Sequence, residues 1–134
     1  GFYRVKAKNI RKLSGIIIEK YNGKVPSTLE ELTSLPGVGR KTANCMLNYA
    51  FKKPAIAVDI HVHRISNRLG WVKTNTPEET EQKLMKKLPK ELWIKVNELL
   101  VDHGQRVCFP RKPNCEGCEI REYCEFWRNL KNNL

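Results

Sequence analysis

An all-helical fold is predicted by three features of the sequence. Apolar residues recur at intervals of three and four along most of the chain, residues that start helices stand before those stretches, and alternating patterns are almost missing. The one alternating candidate is the four residues Ala55 to Val58, too little for a sheet, so the chain reads as all-α.

Each element follows from local chemistry. Ala7, Ile10, Leu13, Ile17 and Ile18 predict a helix over 7–20, and YNGK then supplies the stop. In PSTLEELTSL, Ser27 and Glu30 have the spacing of a capping box, while Leu29, Leu32 and Leu35 form one stripe that ends at Pro36. After PGVG, Ala43, Leu47 and Ala50 share a helical face. KKPAIAVD breaks the pattern at Pro54, which sets the expected boundary between residues 1–53 and 54–134. Val62, Ile65 and Leu69 mark a short helix closed by Gly70. Thr76 as cap, Pro77 at the first helical position and Glu79 completing a second capping box start the next one. A last long helix, KELWIKVNELLVDH, is expected to run into Gly104.

The chain has 134 residues, 40% of them hydrophobic, enough for one domain or two small lobes with an ordinary core. Lys and Arg number 25 against 14 Asp and Glu, a net charge of +11, so a polyanion is the first partner to consider. The longest purely aliphatic run is Ile16, Ile17 and Ile18, far short of a membrane span. GFYRVKAKNI lacks the apolar stretch of a secretory signal, which points to a reducing intracellular setting, the cytoplasm and nucleoid in a prokaryote. Five cysteines in such a setting suggest metal or core use before disulfides.

CFPRKPNCEGCEIREYC puts Cys108, Cys115, Cys118 and Cys124 within seventeen residues. Tetrahedral zinc and a [4Fe-4S] cluster both take four thiolates, and spacing alone does not choose between them. Zinc ribbons usually pair two Cys-x-x-Cys knuckles, whereas only Cys115 and Cys118 make one here, which favours iron and sulfur. Cys45, between Ala43 and Leu47, reads as a small core residue. His61 and His63 lie two apart on a helix and point to different faces, a poor metal pair. The His-x-Glu and Pro-Cys-x-x-Cys motifs of a nucleic-acid deaminase are missing.

LPGVGRKTA combines a helix end, a bend with Gly37 and Gly39, and a second helix from about Arg40. Backbone amides at the start of that second helix, aided by its dipole, suit a phosphate. Such a grip holds nucleic acid without reading bases. Leu35, Gly37, Val38, Gly39 and Arg40 in the bend, with Arg111 and Lys112 from the cysteine-rich segment, are therefore expected to contact DNA. Lys52 and Lys53 could extend the contact.

LPGVGRKTA, then AVDIHVHR, then the four-cysteine segment resemble, in order and spacing, the endonuclease III branch of the helix-hairpin-helix DNA glycosylases. That resemblance implies a base-excision repair enzyme with two helical lobes, a hairpin-bearing barrel half and a [4Fe-4S] lobe, with the active site in a cleft between them. It implies Lys41 as nucleophile, Asp59 as catalytic carboxylate, and Cys108, Cys115, Cys118 and Cys124 as cluster ligands. An amine attacking C1′ of an extruded nucleotide expels the base, and the resulting Schiff base permits strand cleavage by β-elimination. Only the neutral amine attacks, and the positive end of the following helix favours that form.

Relatives with Ser or Tyr in place of this Lys resemble monofunctional mismatch glycosylases, so Lys41 favours the bifunctional reading. By resemblance, the expected substrate is duplex DNA carrying oxidised pyrimidines or abasic sites. Ile60 departs from the family's usual Thr. The family's N-terminal portion has no counterpart here, so the apolar face around Ile16 to Ile18 is expected to need a missing segment or a partner to cover it. Two other classes stand beside this reading: an idle DNA-binding module derived from a glycosylase, and a small redox carrier, against which the basic hairpin argues.

Overall fold

The computed structural model describes residues 2–132, and every regular element among them is helical. The α-helices are α1 (Tyr3–Tyr21), α2 (Leu29–Thr33), α3 (Arg40–Tyr49), α4 (Ile60–Arg68), α5 (Pro77–Lys87), α6 (Trp93–Arg106) and α7 (Glu125–Asn132). Short 3-10 turns at Lys90–Leu92 and Arg121–Tyr123 precede α6 and α7. The described chain divides between Ala55 and Ile56 into two compact units.

In the first unit, α1 begins four residues before the expected start and stops where the Gly23 N–H turns back to the Ile17 carbonyl at 2.9 Å. The cap of α2 is one residue later than its sequence suggested. Thr28, not Ser27, accepts from the Glu31 amide at 3.3 Å and donates to the Glu31 carboxylate at 2.7 Å. Ser27 is instead taken by Lys53, whose ammonium donates to its carbonyl at 2.6 Å and its hydroxyl at 2.9 Å. With Ser and Thr adjacent, and Glu three residues after each, a tertiary contact settled the register. The α2 helix ends at Thr33, so Leu35 belongs to the bend. Leu32, Leu35, Ala43, Leu47 and Ala55 form the core, with Leu13, Ile16 and Tyr21 of α1 packed on it. The other side of α1 remains apolar and open, with Ile10 63% and Ile18 67% exposed.

The second unit buries Ile56, Val58, Val62, Ile65, Leu69, Val72, Leu84, Val96 and Leu100. Thr76 caps α5 as its sequence suggested, accepting from the Glu79 amide at 3.2 Å. Gly104 does not end α6 but lies inside it, buried. A β-carbon there would come within 2.5 Å of Nδ1 of His61 and 3.0 Å of Ile65, so glycine lets α6 approach α4.

Ala55 to Val58, the alternating run, is buried and forms no regular element, with no partner strand among the described residues. Side chains replace the missing ladder. Asn48 donates to the Ala55 carbonyl and accepts from the Ala55 amide, both at 2.8 Å, and Asn97 donates to the Ala57 carbonyl at 2.9 Å. Buried backbone must be paired, and here asparagine does the pairing.

Candidate functional site

The hairpin between α2 and α3 is built around Gly37, whose φ of 78° lies in the left-handed region. A β-carbon there would also fall 2.8 Å from Nδ2 of Asn9 on α1, so conformation and space both require glycine. The Val38 amide closes the bend on the Leu35 carbonyl at 3.1 Å. Gly39 differs from Gly37. It is the cap residue of α3 at φ −86°, it supplies no side-chain cap, and a β-carbon there would meet nothing within 4 Å. The opening turn of α3 therefore starts at a glycine beside open space, and a helix start is a place that suits an anion.

Lys41 is the second residue of α3 and is exposed. The Leu35 side chain is only 4% exposed, so its contribution at a DNA surface is confined to the backbone of the bend. Lys52 is exposed, whereas the Lys53 ammonium is spent on Ser27. Arg111 and Lys112 are exposed on the loop between Cys108 and Cys115.

Asp59 is the cap of α4. Its Oδ1 accepts from the amides of His61 and Val62, both at 2.9 Å, and Oδ2 takes part in neither bond. The carboxylate is thus aimed by its own helix with one oxygen left over. Ile60, where the resembling family has Thr, is 72% exposed. The two histidines have other partners: Nδ1 of His61 lies 3.1 Å from Arg64, and Nδ1 of His63 lies 2.7 Å from the Thr80 hydroxyl.

Cys108, Cys115, Cys118 and Cys124 are half-buried, unpaired by disulfides, and line one cavity of about 370 Å3 of empty space, part of it open to solvent. The second unit holds this loop through two arginines one turn apart on α4. Arg64 donates to the Cys108 carbonyl at 2.9 Å; Arg68 donates to the Cys108 sulfur at 3.2 Å and to the carbonyls of Phe109 and Pro110 at 2.8 and 2.7 Å. The Arg68 guanidinium also lies over the Phe126 ring, 4.9 Å from its centre. Nε2 of His103 approaches the Cys118 sulfur at 3.9 Å, and burial lowers its pKa against the opposing pull of Asp102.

Burial pushes the Cys115 thiol up, the other three cysteines push it further, and Arg68 opposes them. A metal or cluster held here would take these groups as thiolates, the ligand form. Among the described residues no three donors converge on a single-ion position, whereas tetrahedral zinc draws its sulfurs to about 2.3 Å from one point. Four thiols lining one cavity are a donor set that a [4Fe-4S] cluster takes.

Sequence reading missed Arg64 and Arg68, although their i, i+4 spacing on a helix before the cysteine loop was visible.

Residues 1–90 match the family described as HhH-GPD superfamily base excision DNA repair proteins. The chain belongs to the HhH-GPD superfamily. Residues 108–124, bounded by the first and last of the four cysteines, match the iron–sulfur binding domain of endonuclease III. The HhH-GPD chain thus carries a [4Fe-4S] cofactor, which Cys108, Cys115, Cys118 and Cys124 would hold, and the zinc alternative is set aside.

This HhH-GPD chain is 60% identical to endonuclease III of Thermotoga maritima over 128 residues, which cover 96% of the chain and 60% of that relative. An endonuclease III-like protein 1 of Gallus gallus is 48% identical, with coverage of 92% and 45%. Among solved structures, a trapped endonuclease III–DNA covalent intermediate superposes with a TM-score of 0.90 at 44% identity, covering 98% of the chain and 62% of that one. A thermostable thymine-DNA glycosylase gives a TM-score of 0.78 at 29% identity, with coverage of 92% and 58%. The chain spans about 60% or less of the length of these curated relatives. Among the described residues no helix is long and apolar enough to cross a membrane.

Proposed function

We propose that the chain acts in base-excision repair as a DNA glycosylase with lyase activity, removing oxidised pyrimidines from duplex DNA. The observation that carries this reading is the hairpin: a glycine beside open space starts α3, and the exposed amine of Lys41 stands one residue inside that helix. The glycine bend and the start of α3 approach a backbone phosphate, and phosphate contact sets register on the duplex. Nζ of Lys41 then forms a bond to C1′ as the bond to the damaged base breaks, with the departing base taking up a proton. Asp59, its carboxylate aimed by the start of α4, stabilises the positive charge that develops on the sugar or accepts a proton. Opening of the sugar gives a Schiff base, whose neighbouring C2′ proton is acidic enough for loss of the 3′ phosphate. The similar structure titled as a trapped covalent intermediate with DNA supports a reaction that passes through a protein–DNA bond.

When bound, the [4Fe-4S] cluster supplies four iron–thiolate bonds that fix the loop around it. Arg111 and Lys112 on that loop add backbone contacts to DNA. Work on DNA assigns the protein to the compartment that holds it, cytoplasm and nucleoid in a prokaryote.

Base release and nicking, measured separately on duplexes with thymine glycol, uracil or a mismatch, test this reading. Release from thymine glycol with nicking is expected. Release from a mismatch without nicking would make it monofunctional; salt-sensitive binding with neither activity would reduce it to a DNA-binding module.

A further inference from the structure

Trp127 on α7 lines the cavity formed by the four cysteines. Its Nε1 is buried and has no hydrogen-bond partner. The hydroxyl of Tyr21 and Nε of Arg64 share that condition, but neither residue lines this cavity. A buried N–H without an acceptor is rare in a folded protein and calls for one. Trp93 shows the ordinary solution, its Nε1 donating to the Leu88 carbonyl at 3.0 Å. The indole of Trp127 is also steadied, with the Lys131 ammonium over its ring, 5.1 Å from the centre.

The acceptors that this cavity would contain, once loaded, are sulfurs. Thiolates and cluster sulfides carry negative charge, and a charge-assisted acceptor suits a buried donor. On the α4 side a donor is already seen, Arg68 to the Cys108 sulfur at 3.2 Å. We propose that Trp127 is the matching donor on the α7 side, a positioning residue whose indole N–H hydrogen-bonds a sulfur of the cluster or of its ligands and helps retain the cluster. Donation to sulfur stabilises the more electron-rich state, so the same bond raises the reduction potential.

Holoprotein carrying Trp127→Phe tests this, because phenylalanine keeps an aromatic side chain while the N–H donor is lost together with one ring of the indole. Cluster loss to a chelator, followed by visible absorbance, is expected to be about tenfold faster than in wild type, the order of effect seen when a partner of a metal ligand is removed. The midpoint potential by voltammetry is expected to fall. Wild-type loss rate and potential in this variant would overturn the proposal. Where the variant fails to take up a cluster, wild-type holoprotein with 15N-labelled indole decides. The Trp127 Nε1 proton is expected to be displaced by the cluster's paramagnetism and protected from exchange. A normal shift with rapid exchange would overturn the proposal, the Trp93 proton serving as the protected reference.

Discussion

Asn48 and Ala55 exchange two hydrogen bonds of 2.8 Å, the amide side chain serving both backbone groups of a residue that has no strand beside it. Asn48 is 1% and Ala55 7% exposed, so both sides of the exchange are withdrawn from water. The segment that begins here leads directly to Asp59. Asn48→Ala is expected to cost about 2 kcal/mol, the penalty of stranding buried polar groups. Urea unfolding of the holoprotein measures it, and a loss below about 0.5 kcal/mol, the level of an ordinary surface change, would show the pairing to be incidental.

The two hairpin glycines are expected to respond differently. Gly37→Ala forces a side chain into φ 78° and against Asn9, so it is expected to lose about 1–2 kcal/mol. Gly39→Ala meets nothing within the protein and is expected to keep its melting temperature while weakening DNA binding. Thermal denaturation beside a salt titration of DNA affinity separates the two. Equal DNA affinity for Gly39→Ala and wild type would argue against close phosphate approach at this turn.

Asp59 serves as cap and, in the proposed reaction, as carboxylate. Asn retains an acceptor for the amides of His61 and Val62, so Asp59→Asn is expected to keep near-native stability while base release falls about 10²–10⁴-fold. Asp59→Ala loses the cap as well, at about 1 kcal/mol. Base release by Asp59→Asn at the wild-type rate, under single turnover, would leave the residue a cap and nothing more.

At Gly104 the expected fault is crowding. A methyl group there falls 2.5 Å from His61 and 3.0 Å from Ile65, so Gly104→Ala is expected to destabilise by about 1–3 kcal/mol despite alanine's better helix propensity. A rise in melting temperature would mean that α4 and α6 give way easily.

These residues also show how far the sequence could be read. Periodicity located the helices because it reports one buried face, and Thr76 was readable as a cap because capping is local. Gly104 resembled a helix stop, since sequence does not reveal a second helix lying against it. Ala55 to Val58 resembled a strand, and only the fold shows Asn48 and Asn97 in place of a neighbouring strand. Ser27 was expected as the cap of α2, but Lys53, distant in sequence, holds its hydroxyl and Thr28 caps the helix instead. In the cysteine segment the donor set was plain, but Arg68 and Trp127 reach it from other helices, and such encounters leave no local signature.

The most direct measurement is reductive trapping. Holoprotein mixed with a duplex containing thymine glycol or an abasic site, in the presence of borohydride, is expected to form a covalent adduct that peptide mass spectrometry maps to Lys41, and Lys41→Gln is expected to form none. An adduct of normal yield in Lys41→Gln, or one mapped to a different amine, would contradict the assignment of Lys41 as the nucleophile.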